Sequence, residues 1–171
     1  MRIVISDFIS LDGVVQAPGG AQEDTDGGFA HGGWSLPYFD VAAMGPVLED
    51  VMQRTAALLF GRRTWETMAA AWPGRAGDPF ADRMNAIPKY VASRSLTQAD
   101  LAWSNSSLLP ADDVLGAVGA MRDRRLMIEP VTLGGGKRLF LDDGRARQLE
   151  LVSTTVSATG VHICTYRPTG R

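Results

Sequence analysis

Short apolar segments that end at a glycine or a polar turn, several of them followed by residues of helical period, constrain this chain more than any other feature. Residues 2–9 (RIVISDFI) are rich in β-branched side chains and read as a buried strand. Residues 57–60 are a second apolar strand, ending at Gly61. A helix follows from Thr64 to about Ala71, with Trp65, Met68 and Ala69 inward, until Pro73-Gly74 stops it. Before that strand, Pro46 suits the first turn of a helix over 46–57, with Val47, Leu48, Val51 and Thr55 on one face. Residues 89–92 form a third strand ending at Ser93-Arg94, with a short helix near 80–85 ahead of it and a brief edge strand at 100–106 behind. Asp112 or Asp113 caps a further helix carrying Val114, Leu115, Val118 and Met121. A strand over 125–133 is interrupted late by Pro130, and 148–157 and 161–167 form a hairpin around Ala158-Thr159-Gly160. The expected fold is α/β: a three-layer sandwich with a mixed, mainly parallel central sheet, flanking helices and a C-terminal antiparallel hairpin, in one domain over 1–171.

Composition narrows the function. With 17 basic against 19 acidic residues the formal charge is −2, which removes the phosphate attraction that nucleic-acid binders use. No apolar run approaches the ~20 residues needed to span a bilayer, and Asp7 comes too early for a secretory signal. One cysteine, Cys164, excludes an internal disulfide; His31 and His162 leave little for a metal site. A cytoplasmic protein without nucleic-acid, membrane or metal partners is expected.

The residues that can carry chemistry cluster at the ends of strands. In Phe60-Gly61-Arg62-Arg63-Thr64-Trp65-Glu66, free amides at a helix start and two guanidinium groups make an anion site; the same stretch also reads as an ordinary turn with arginines in solvent. Ser93-Arg94 repeats the pattern at the next strand end, where an arginine can hold a ribose phosphate. Two such turns at the edge where open α/β sheets bind ligands favour a nucleotide. Asp12, beyond the first strand, can orient or protonate a heterocycle, or simply close an Asp-Gly turn. The 17–35 segment, with Pro18 and repeated glycines, is a long loop of the kind that binds ligands or lacks order, and Trp34, Tyr38 and Phe39 anchor its end. Leu133-Gly134-Gly135-Gly136-Lys137-Arg138 fails as a P-loop, because position 131 is Val and 138 is Arg. It fails as a dinucleotide fingerprint too, because 139 is Leu. A turn that lets backbone approach a ligand remains.

These pieces occur in one order: Ser10-Leu11-Asp12-Gly13, Gly32-Gly33-Trp34 with Tyr38-Phe39, Leu59 through Glu66, Ser93-Arg94, and Pro130 through Phe140. In this the chain resembles the dihydrofolate-reductase-like family, in the group similar to the C-terminal reductase domain of the riboflavin-biosynthesis deaminase/reductase. The resemblance implies an NADPH-dependent oxidoreductase, a homodimer by analogy, transferring hydride to a pterin-, pyrimidine- or related heterocycle. A non-catalytic nucleotide or small-molecule binder on the same scaffold is the alternative. It implies that Gly61, Arg62, Arg63 and Thr64 meet the pyrophosphate and that Ser93 and Arg94 meet the 2′-phosphate. Gly134 and Gly135 also fall to the cofactor, and Asp12, Trp34 and Tyr38 to the substrate, with Asp12 the catalytic candidate. It also implies a further strand, a phosphate turn and a helix before residue 125, where Met121-Arg122-Asp123-Arg124-Arg125-Leu126 runs straight through. The chain thus lacks about one strand–helix unit near 123–126. A shortened non-catalytic chain or a partner filling the gap would account for this. A discontinuity between Asp123 and Leu126 is the expected reason, since a hole in a central sheet leaves backbone groups unpaired.

Overall fold

The computed structural model describes residues 3–75, 77–110, 121–140 and 148–169, with backbone alone for Ile3 and residues 121–126. Its elements are β1 (Ile3–Ser10), α1 (Val41–Arg54), β2 (Leu58–Gly61), α2 (Arg62–Ala71), α3 (Pro79–Ala86) and β3 (Lys89–Ala92), then β4 (Ser106–Leu108), β5 (Met121–Glu129), β6 (Leu149–Val156) and β7 (His162–Pro168). The chain divides into two compact units, Met1–Gly45 with Ala120–Arg171, and Pro46–Gly119. Its strands pair as two sheets, β1-β5-β7-β6 and β2-β3-β4, so the expected strand set is mixed α/β but distributed over both.

In the first unit β1 runs parallel to β5, and β7 lies antiparallel between β5 and β6. The β1–β5 register is unbroken from Val4–Asp123 to Ser10–Glu129. The backbone is therefore continuous between Asp123 and Leu126, and the expected discontinuity is not there. β5 starts at Met121, four residues earlier than the sequence suggests, and stops at Glu129 because Pro130 has no N–H to continue the ladder. Met121 opens this strand instead of closing a helix; the remainder of that expected helix, residues 111–120, lies outside the described residues. Past β1 the chain keeps pairing. Leu11 N donates to Val131 O (2.8 Å), Val15 N to Lys137 O (2.9 Å) and Leu139 N to Gly13 O (3.0 Å), which stitches segment 11–15 to the glycine turn. The 17–39 loop is ordered by two short 3-10 turns and by Trp34, whose buried indole Nε1 donates to Gln16 O at 2.7 Å.

The second unit is a parallel three-stranded sheet over a core of Met52, Trp65, Met84, Ile87, Val91 and Trp103. α1 begins at Val41, five residues before the expected start, because Asp40 Oδ1 accepts from the amides of Ala42 (3.0 Å) and Ala43 (3.1 Å). Pro46 consequently lies inside the helix. α3 opens in the same way, Asp78 capping Phe80 N and Ala81 N with Pro79 in the first turn. The edge strand expected at 100–106 is displaced to Ser106–Leu108. Residues 98–100 form a 3-10 turn closed by Thr97 and Asp100, and Asn105 is left-handed at φ 59°, so extended backbone starts only after it. Lys89, at the amino end of β3, is fully buried. Its Nζ donates to Ile87 O (2.9 Å) and Asn85 O (3.1 Å) and sits 4.6 Å from the Trp103 ring centroid.

Candidate functional site

At the carboxyl end of the parallel β2–β3 pair, Gly61 and Ala92 are register partners. The turns that begin at Gly61 and Ser93 therefore leave the sheet side by side, at one edge. α2 starts at once after Gly61, which is its N-cap and offers no side-chain hydrogen bond. The first amides of a helix have no partner within it, so those of Arg62, Arg63 and Thr64 point outward at the positive end of the helix dipole. Arg63 and Thr64 are exposed. Arg62 holds both oxygens of Glu66 one turn on, at 3.0 and 3.1 Å. That pair is about 40% exposed on each side, and such i,i+4 pairs contribute only about 0.3–0.5 kcal/mol, so Glu66 holds Arg62 weakly. At the neighbouring turn Ser93 Oγ accepts from Ser95 N (3.1 Å) and Leu96 N (3.0 Å). This folds the turn back and leaves Arg94 exposed, with no hydrogen bond or ion pair among the described residues.

Asp12 is engaged differently from what its sequence context suggests. Its carboxylate accepts from Ser10 Oγ (2.6 Å), Leu133 N (3.1 Å) and Gly134 N (2.9 Å). Ser10 Oγ in turn accepts from Val14 N at 2.8 Å. The Ser10 hydroxyl, then the two amides, hold the Asp12 pKa down at about 2 against the opposing effect of burial. Asp12 is thus a fixed anion that joins the end of β1 to the turn after β5, and it carries no proton to deliver at neutral pH. The Gly134 amide is committed to this carboxylate. Gly135 lines a cleft of about 490 Å³ formed by Gln16, residues 26–31, Leu133 and residues 135–137. Lys137 Nζ meets Asp24 and Asp26 beside it, and the ring of His31 stands edge-on to Phe29 at 5.6 Å.

Of the loop residues, Trp34 is buried and its N–H is occupied, whereas Tyr38 is half-buried and its carbonyl accepts from Thr159 Oγ1 at 2.6 Å. Between them Ser35 donates to Glu129 Oε1 at 2.8 Å, a contact across 94 residues of sequence. Sequence reasoning missed Ser10, Ser35 and Glu129. The signal available was a carboxylate closing the apolar run Leu126-Met127-Ile128, a position that buries it. Among the described residues, no group of three or more His, Cys, Asp or Glu side chains is arranged to hold a metal, and no helix is long and apolar enough to cross a membrane.

This mixed α/β architecture is the dihydrofolate-reductase-like fold, as comparison with solved structures shows. A Shewanella sp. PV-4 protein ascribed to riboflavin biosynthesis superimposes with a TM-score of 0.61 at 16% identity, covering 99% of each chain. Dihydrofolate reductase from Enterococcus faecalis, solved with NADP(H), superimposes with a TM-score of 0.50 at 15% identity, over 99% of this chain and 97% of that one. The chain belongs to the RibD C-terminal domain family, whose model matches residues 2–113. It is also 25% identical to the uncharacterized protein YyaP of Bacillus subtilis (strain 168), over 94% of this chain and 91% of that protein.

Proposed function

We propose that this protein is an NADPH-dependent reductase acting on a pterin-, pyrimidine- or related heterocyclic small molecule. The observation that carries the proposal is the Gly61–Ala92 pairing, which sets on one strand edge a helix start without a side-chain cap and an arginine, Arg94, that has no partner among the described residues. Those groups suit a molecule with two separated phosphates. Gly61, Arg62, Arg63 and Thr64 take the pyrophosphate through amides and guanidinium groups, and Ser93-Arg94 take the 2′-phosphate. Bound NADPH would supply a hydride from its nicotinamide; the protein's part is orientation and electrostatics. Asp12 serves as a fixed anion that orients the heterocycle, with Trp34 and Tyr38 shaping its surroundings and Gly135 offering open backbone at the cleft. Gly134 drops out of the cofactor set because Asp12 holds its amide. The same reading carries a cytoplasmic homodimer with a small-molecule substrate and without nucleic-acid or membrane partners.

The test is a titration with NADPH and NADH. Charge-assisted hydrogen bonds contribute about 1.5–3 kcal/mol each, so NADPH should bind about tenfold or more tightly, and Arg94→Ala should remove the preference while NADH affinity stays level. Equal affinities in the unmodified protein would refute the proposal.

One observation favours the second reading, a binder without turnover. The alignment with YyaP extends over 191 positions, longer than this 171-residue chain, so that relative has residues where this chain has none. This agrees with the loss of a strand–helix unit that we propose for the chain. NADPH binding without NADPH consumption across a panel of pterins, pyrimidines and flavins would select it.

A further inference from the structure

We propose that Glu129 is a positioning residue: through Ser35 it holds the 17–39 loop against the β1–β5 face, and it releases that loop when its carboxyl loses its proton. The link to substrate rests on the functional reading above; the latch itself does not.

Glu129 ends β5 with no exposed surface. One oxygen accepts from Ser35 Oγ, while Oε2 has no hydrogen-bond partner among the described residues. A buried carboxylate with a single donor is costly, whereas the neutral acid is tolerated. Among the described residues its surroundings hold no compensating cation. Register partners in the sheet share a face, so Glu129 stands with Ser10 and, one step back along the strands, with Phe8, Met127 and Ile163. Asp7 and His162 fall on the opposite face, since they pair with Leu126 and Ile128. Asp12, next on the Ser10 side, is already an anion. On the loop side, Phe39 packs against Phe8 at 6.2 Å and Tyr38 is held through its carbonyl. Asp40 is kept ionised by the amides of Ala43, Ala158 and Ala42. No described cation meets Glu129. Burial accordingly lifts its pKa to about 7, within the range a cell experiences.

The chemistry is one acid dissociation. The carboxyl O–H breaks, the proton passes to water, and the electron pair stays on the carboxylate. The charged group is then better solvated with the loop lifted, so docking binds the proton and rising pH opposes docking.

Hydrogen exchange of the Gly33, Ser35 and Tyr38 amides, which bond to Ala17 O, Pro18 O and Ser35 O, reads the docking equilibrium. The background is His31→Gln/His162→Gln, so that the response is read without either histidine. Between pH 6 and pH 8, after correction for intrinsic rates, opening should rise about tenfold. Glu129→Gln, whose amide oxygen can still accept from Ser35, should be flat with pH, and Ser35→Ala should be loosened at both. Without any variant at 129, the Glu129 carboxyl carbon should titrate near pH 7 by NMR with the loop amides following the same curve. A flat response in the Glu129-containing protein, loop amides that ignore the Glu129 titration, or an unchanged tenfold rise in Glu129→Gln would overturn the latch. NADPH binding measured alongside keeps the two proposals apart. Binding with a pH-blind loop defeats only the latch, and a pH-responsive loop without binding defeats only the reductase reading.

Discussion

Asp12 Oδ2 accepts a hydrogen bond from the Gly134 amide at 2.9 Å, joining residues 122 positions apart. With Leu133 N and Ser10 Oγ on the same carboxylate, this contact closes the end of β1 onto the turn that follows β5. Asp12 therefore has a structural task whatever its part in binding.

Replacing Asp12 by Ala leaves three donors without their acceptor. Water reaches part of the site, so a loss of about 1–2 kcal/mol in urea unfolding is expected. The acid limb carries the sign. The folded pKa of about 2 lies below the ordinary 3.8, so this contribution is complete above pH 4 and disappears as the pH falls toward 2. In Asp12→Asn that part of the acid transition should vanish.

Gly136 has φ 122°, and a Cβ there would lie 2.7 Å from Val14 Cγ1 and 2.8 Å from Phe29 Cε2. Gly136→Ala should cost about 2 kcal/mol or more, through crowding and backbone strain together. Gly134, at φ 72° with nothing within 4 Å, is the matched control, and Gly134→Ala should cost about 1 kcal/mol. Thermal melts of the two variants side by side check the order.

Burial lowers the Lys89 pKa below its usual 10.5. The folded state binds this proton less tightly than the unfolded one, so stability should rise as the pH climbs through the lowered value toward 10.5. Lys89→Met keeps the volume but strands the carbonyls of Asn85 and Ile87, at about 1–3 kcal/mol near neutral pH, and removes that alkaline rise. Denaturant curves at pH 7 and pH 9.5 read both effects.

Glu66 competes with any phosphate for Arg62. Glu66→Gln should leave stability within about 0.5 kcal/mol and tighten NADPH up to about threefold at low salt, a gain that fades as salt screens it. Weaker NADPH binding in this variant would place Arg62 outside the phosphate contacts.

Local chemistry made much of this legible in the chain. The stops at Gly61 and Ala92, the arginines beyond them, the strand of residues 2–9 and the C-terminal hairpin each follow from the side chains within a few positions. Boundaries slipped where a partner a few residues off decided them. Asp40 drew α1 back to Val41, and the left-handed Asn105 pushed β4 forward to Ser106. The candidate site divides along the same line. The Gly61 and Ser93 turns could be recognised singly, but their adjacency needed the β2–β3 register.

What the sequence by itself determined is the periodic pattern: which segments bury an apolar face, where helices open, and which strand ends carry cations. These depend on interactions along the chain, which spacing encodes. Only the tertiary structure decided that Asp12 is an anion tied to Gly134, and that Glu129 is a buried acid held to Ser35. A carboxyl group's charge is set by the donors and water around it, and beyond the neighbouring Ser10 the donors here, Leu133 and Gly134 for Asp12 and Ser35 for Glu129, lie about a hundred residues away.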